Sequence, residues 1–264
     1  MTFKKLSAIS FAFSAFFGAN AFAHNDFQLS CDTNISSNIV FADNQLTVKS
    51  TTNENILFNA QGKVSVDGKQ ISLTAEEQKL TQRYFNEIEA TIPVVVDITV
   101  EALKITNMAL TEVFTGLLGE DSQLPQTINT RIDKVADGIR NHVYQDPNSL
   151  TFNSHYLKDD LGLDEDLEQE IESIKEEVVS SMMGELMVAL GKAMISGDSD
   201  FSELEKRMEN LGDDIETKAE ILSKTLEEKS LDLCDRISNI DNTEAQLRNI
   251  NALENLDSIH FNKA

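Results

Sequence analysis

From Thr74 to the end of the chain, apolar side chains return every three or four residues, and no other feature restricts the fold as strongly. A stripe at that period runs along one side of an α-helix and leaves water only by facing another element. Leu80, Tyr84, Ile88 and Ile92 open the series, and Thr74-Ala-Glu-Glu77 precedes them as a capping box. Pro93 lacks an amide donor and predicts a break or kink. Val96, Val100, Leu103, Leu110, Phe114 and Leu117 then continue the stripe toward a stop at Gly116 or Gly119. A further helix is predicted over 125–142 on Ile128, Ile132, Val135 and Ile139.

The later segments follow the same rule. Asp159 to Glu177 is heavily acidic and reads as a solvated helix start, flowing into Met182, Met183, Met187, Leu190 and Met194 at apolar positions. Gly197 and Asp198 interrupt the chain before a second capping box at Asp200 to Glu203. Phe201, Leu204, Met208, Leu211, Ile215, Leu222 and Leu226 then form a seam of coiled-coil type, suited to a homodimer or to an antiparallel hairpin within one chain. Leu247, Ile250, Leu253 and Leu256 predict one more helix, fraying toward the end.

Before Thr74 the pattern changes. Leu46–Lys49, Ile56–Phe58, Lys63–Val66 and Gln70–Leu73 are short and strand-like, with Gly62 and Asp67-Gly68 where tight turns are needed. Leu150-Thr-Phe152, after a turn at Gln145–Ser149, reads as a short extended segment that could return to this sheet. The fold class expected is α+β, mainly α: a small N-terminal antiparallel sheet over 24–73 packed as one unit with long helices over 74–264.

Residues 1–23 stand apart. Lys4 and Lys5 precede an apolar run from Leu6 to about Phe17, and small residues end at Ala21-Phe22-Ala23. This is the pattern of a secretory signal peptide, removed near His24. Leu29-Ser30-Cys31 echoes a lipoprotein site, but His24, Asn25, Asp26 and Gln28 separate it from the apolar run. The best later candidate for a membrane span, Pro93 to Leu118, carries Asp97, Glu101, Lys104 and Glu112. The expected location is the periplasm.

Charge and cysteine usage narrow the chemistry. The chain has 22 Lys plus Arg against 45 Asp plus Glu, a formal charge of −23. Such a surface repels phosphate backbones, so nucleic acid is excluded as a partner class. Cys31 and Cys234 are an even pair, and in an oxidising compartment they predict a disulfide tying the N-terminal segment to a late helix. Closing a loop of about 200 residues would contribute at most about 5 kcal/mol on the chain-entropy account.

Tempting sites fail on spacing. With Gly162 as the sixth position of a calcium loop, Leu157 and Leu161 occupy positions that require oxygen ligands, so Asp159–Asp166 does not fit. Met182, Met183, Met187 and Met194 could suit a soft metal, but helical packing explains them more simply. His24, His142, His155 and His260 form no short-range zinc pair, and Asn153-Ser-His-Tyr156 carries no triad signature. There is no GxSxG, Walker loop or GxGxxG. No metal or cofactor is expected. Paired carboxylates could support hydrolysis, yet 45 acidic residues supply a pair at any spacing.

The motifs Gly62-Lys-Val64, Asp67-Gly-Lys69, the passage from Leu73 into a helix with Tyr84, Ile92-Pro93, Ser149-Leu-Thr-Phe152 and Cys234-Asp-Arg236 occur together behind a signal peptide. In these the chain resembles the YggN-like family of periplasmic proteins from gamma-proteobacteria. The resemblance implies a periplasmic location and carries over no catalytic residue. The expected function is a non-enzymatic envelope protein presenting helical surfaces to a protein partner, as scaffold, adaptor or chaperone-like factor. The competing expectation is an envelope hydrolase using paired carboxylates.

Overall fold

The computed structural model describes residues 32–119, 122–144, 150–154 and 224–262, together with the single positions 173, 180, 184, 187 and 188. The expected acidic helix start at 159–177 and the seam from Phe201 to Leu226 lie outside these residues, apart from position 173, which is helical, and the last seam member Leu226, which is helical and buried. The fold is α+β, with an N-terminal antiparallel sheet and long helices.

The chain opens with β1 (Asp32–Ile35), β2 (Ile39–Ala42), β3 (Gln45–Lys49), β4 (Asn55–Asn59), β5 (Val64–Val66) and β6 (Lys69–Gln70). Two-residue turns join two of the hairpins. Asp43 and Asn44 have φ of 53° and 55°, and Asp67 and Gly68 have 47° and 78°, the mirror-image geometry that matches strand twist. The long helix α1 (Ala75–Leu118) follows, then α2 (Leu124–Val143), β7 (Phe152–Asn153), a helix α3 over 224–247, and β8 (Ile259–Asn262). Six strands form one sheet in the order β6-β5-β4-β3-β2-β7, while β1 pairs with β8 in a separate two-stranded ribbon. The extended segment ending at Phe152 does return to the sheet, with Phe152 opposite Phe41.

Alternation gives the sheet one apolar face. Phe41, Leu46, Phe58 and Val64 lie opposite one another across four strands, as do Ile39, Val48 and Ile56, and all seven are buried. The start of α1 supplies the covering layer through Tyr84, Phe85, Ile88 and Ile92. The Phe41 and Phe85 ring centroids are 5.2 Å apart, as are those of Phe58 and Tyr84, within the range of favourable tilted ring pairs.

The chain divides into two compact units. The first holds the sheet, the ribbon, α1 up to Val95 and α3 from Lys229. The second includes α1 from Val96 and α2 up to Asn141, where Phe114, Leu124, Ile128 and Ile132 form a core against Leu103, Leu110 and Leu118. Its α1 ends at Leu118, and Gly119 takes a φ of 89° as the left-handed residue after the helix.

Three expectations are corrected. Pro93 does not break α1, which is helical from Ala75 to Leu118. The proline forfeits one backbone bond in 44 residues, while burial of Ile92 before it and Val96 after it holds the chain to a helical course. The tail is not a helix to its end. After 247 it turns at three-residue steps, with Ile250 N–H donating to Leu247 O, Leu253 N–H to Ile250 O and Leu256 N–H to Leu253 O, then extends into β8. The three-residue spacing of Leu247, Ile250, Leu253 and Leu256 is satisfied by these tight turns, the geometry of a 3₁₀ path. Met187 does not fill a core: it is 71% exposed, and Val188 beside it is 58% exposed.

Candidate functional site

A polar cluster is buried in the first unit. Tyr84 on α1, Glu244 on α3 and Ser258 just before β8 each have no exposed surface. Each arrives there for a local reason. Tyr84 belongs to the apolar stripe of α1, so its ring packs beside Phe58 while its hydroxyl reaches beyond the aromatic layer. Glu244 sits among Ile240, Thr243 and Leu247 on the buried side of α3. Leu253 and Leu256, both buried, pin the turns that bring Ser258 back over the helix.

The hydrogen bonds close on themselves. Tyr84 Oη donates to Glu244 Oε2 at 2.7 Å and lies 3.0 Å from Ser258 Oγ. Ser258 Oγ donates to the same Oε2, while the Ser258 amide donates to Oε1 at 2.5 Å and the Ile259 amide approaches Oε1 at 3.5 Å. Burial pushes the Glu244 carboxyl above its ordinary range, against the opposing pull of the donors from Ser258, Tyr84 and Ile259. Burial also pushes the Tyr84 phenol well up, reinforced by the charges of Glu244 and Glu87. At neutral pH this tyrosine is a donor and not a base.

This arrangement fixes the course of the chain. Ser258 O accepts from the Ser36 amide at 2.9 Å, and Asp257 O accepts from Ser36 Oγ at 2.6 Å. Asn255 O accepts from the Thr51 amide at 3.1 Å, and Asp257 pairs with Arg248 and with His260 Nε2 at 3.2 Å. The Glu244 carboxylate therefore anchors the segment that pairs with β1. Sequence reasoning placed Tyr84 only in an apolar stripe and missed Glu244 and Ser258. The available signal was a glutamate in the stripe itself, four residues after Ile240 and three before Leu247.

The other sequence candidates do not converge on this cluster. Cys234 is buried on α3, and Cys31 lies outside the described residues. His142 is partly buried near the end of α2; His24 and His155 are outside the description, as are Asp159–Asp166, Met182, Met183 and Met194. Ser154, beside His155, is buried and acts structurally: its Oγ accepts from the Ile39 amide at 2.8 Å and binds the edge of β2. Among the described residues no group of three His, Cys, Asp or Glu could hold a metal ion, and no helix is long and apolar enough to cross a membrane.

Residues 31–259 match the model of a family described as a protein of unknown function, DUF2884. The chain belongs to the DUF2884 family. The matched span begins immediately before β1 and ends at the first residue of β8, so the family's extent takes in the sheet, α1, α2, α3 and the Tyr84–Glu244–Ser258 cluster. No curated protein and no solved structure matches the chain.

Proposed function

We propose that this DUF2884 member is a non-enzymatic periplasmic protein that presents helical surfaces to a protein partner, in the manner of a scaffold, adaptor or chaperone-like factor. The observation that carries this reading is how the buried polar cluster is used. A catalytic carboxylate needs an open path to substrate and unspent hydrogen-bonding capacity. Glu244 has no exposed surface, and both its oxygens accept from the chain's own Tyr84 and Ser258. The signal-peptide pattern of residues 1–23 and the resemblance to the YggN-like periplasmic proteins of gamma-proteobacteria support the location. The Cys31–Cys234 disulfide is part of the same proposal, supported by the oxidising compartment and by burial of Cys234 on the helix that also carries Glu244.

Exposed apolar side chains supply a contact surface on each unit taken by itself: Leu231 on α3 of the first unit is 48% exposed, and Met187 and Val188 in the second are exposed at helical positions. A photo-crosslinking residue placed at Leu231 or Met187 in intact cells should give one recurrent protein adduct, absent when the same probe replaces Lys69 at the sheet edge. Uncrosslinked monomer alone, together with turnover of an envelope substrate by the purified protein, would overturn the proposal in favour of a carboxylate hydrolase.

A further inference from the structure

A groove of about 520 Å³ lies between α1 and α3 within the first unit, lined by Lys79, Arg83, Asn86, Glu87, Arg236 and Asn239 among others. Its lining opposes the charge of the whole chain: three cations face it on a protein of formal charge −23.

The two guanidiniums are held in place without being used up. Arg83 Nε donates to Glu87 Oε1 at 2.7 Å, and Arg236 Nε donates to Asp232 Oδ2 at 2.8 Å, each one helical turn away on its own helix. Arg236 Nη1 makes one long contact, 3.5 Å, to Ala90 O across the groove. Bonding through Nε fixes the plane of a guanidinium and turns its paired Nη edge outward, the edge that meets carboxylate and phosphate two bonds at a time; Arg83 presents both Nη groups, and Arg236 presents Nη2 beside an Nη1 held only by the long contact to Ala90 O. Lys79 makes no ion pair among the described residues and adds a third charge. Asn86 and Asn239 line the groove from opposite helices. Glu87 Oε1 and Asp232 Oδ2 are engaged by the arginines, and Glu87 Oε2 is buried without a partner and out of reach of solvent, so what the groove offers at its surface is the outer edges of the arginines and Lys79.

We propose that this groove binds a small anion whose head is a carboxylate or a phosphate, seated between the Arg83 and Arg236 forks with Lys79 at its edge. The site is distinct from the buried Tyr84–Glu244–Ser258 cluster and does not depend on the exposed apolar residues proposed for partner contact.

The test titrates the full mature protein with inorganic phosphate and, separately, with succinate, each against sodium chloride at matched ionic strength. Binding is read by calorimetry and by amide chemical shifts. Saturable binding of either probe, with shifts centred on residues 79–91 and 236–239, is expected, and which probe binds tells phosphate from carboxylate recognition. Arg83→Ala and Arg236→Gln should each weaken it about tenfold or more, the loss of a hydrogen bond between charged partners. Lys69→Ala, on β6, should leave it unchanged. These arginines are substantially solvent-exposed, and unchanged circular dichroism will show that the variants fold. Absence of saturable binding by both probes, or binding that both arginine variants retain at full strength, would overturn the proposal.

Discussion

At the scale of single residues, Glu244 is the one Asp or Glu among the described residues with no exposed surface. Its raised folded-state pKa means the folded protein holds this proton more tightly than the unfolded chain does. Its contribution to stability is therefore fully present below the unfolded carboxylate value, about 4.3, and is lost as pH rises through the folded value. Glu244→Gln keeps the shape and removes the titration, since the amide oxygen can accept from the Ser258 amide while the amide nitrogen donates to Ser258 Oγ or Tyr84 Oη. Urea denaturation from pH 4 to pH 7 should show the stability difference between variant and parent shifting in favour of the variant as pH rises. A pH-independent difference would count against a titrating buried carboxyl. Glu77 works in the opposite sense. Bonds from the Thr74 amide and hydroxyl hold its carboxyl below the usual range, so its capping contribution is present above the unfolded value and is lost as pH falls. Tyr84→Phe deletes one donor to Glu244 and should cost about 1 kcal/mol by the same denaturation measurement.

At the scale of elements, the turn at Gly62 is where the sheet is locked to α1. Gly62 has a φ of 72°, and a Cβ there would lie 2.2 Å from the backbone oxygen of Gln78. The approach is close because Thr81 Oγ1 donates to Gly62 O at 2.6 Å, Gln78 Nε2 to Gln61 O at 2.7 Å and Gln82 Nε2 to Ala60 O at 2.8 Å. Gly62→Ala should therefore lower the urea midpoint, with the left-handed backbone alone costing about 1–2 kcal/mol and the steric clash adding to it. Much at this scale was legible beforehand. The capping box at Thr74, the hairpin at Asp67-Gly68 and the helix on Ile128, Ile132 and Val135 all rest on local chemistry, and the structure contains all three. Of the strands governed by distant partners, β7 was legible and β8 was not. Strand β8 is defined by pairing with β1 more than two hundred residues earlier, and nothing within Ile259–Asn262 announces that partner. Pro93 was misleading because a local rule was outweighed by burial on both sides of it.

At the scale of the molecule, the two ends of the described chain meet. Asp32 lies opposite Asn262 and Ile35 opposite Ile259, and Glu244 ties that ribbon to α3 through Ser258. The proposed disulfide would reinforce the same closure, because Cys31 immediately precedes β1 and Cys234 lies on α3. Thiol counting on denatured protein taken from the compartment proposed for it, the periplasm, should find no free thiol, and two free thiols would sink the pairing. The candidate site was the least legible part of all. Glu244 is one of 45 acidic residues, and its place in the stripe of α3 marks it as inward-facing without naming Tyr84 or Ser258 as its partners. What distinguishes it is the combination of zero exposure with donors from two remote segments, which no local pattern encodes.

That the buried cluster holds the ends of the described chain together is tested most directly by hydrogen exchange on Glu244→Ala. Removing the carboxylate leaves the Tyr84 hydroxyl, the Ser258 amide and the Ser258 hydroxyl without their acceptor, a loss of about 3 kcal/mol or more. Amides of Asp32–Ile35 and Ile259–Asn262 should lose protection first and most, while those of Asn55–Asn59 and Val64–Val66 retain theirs. Unchanged protection at both strands of the ribbon in the variant would contradict it.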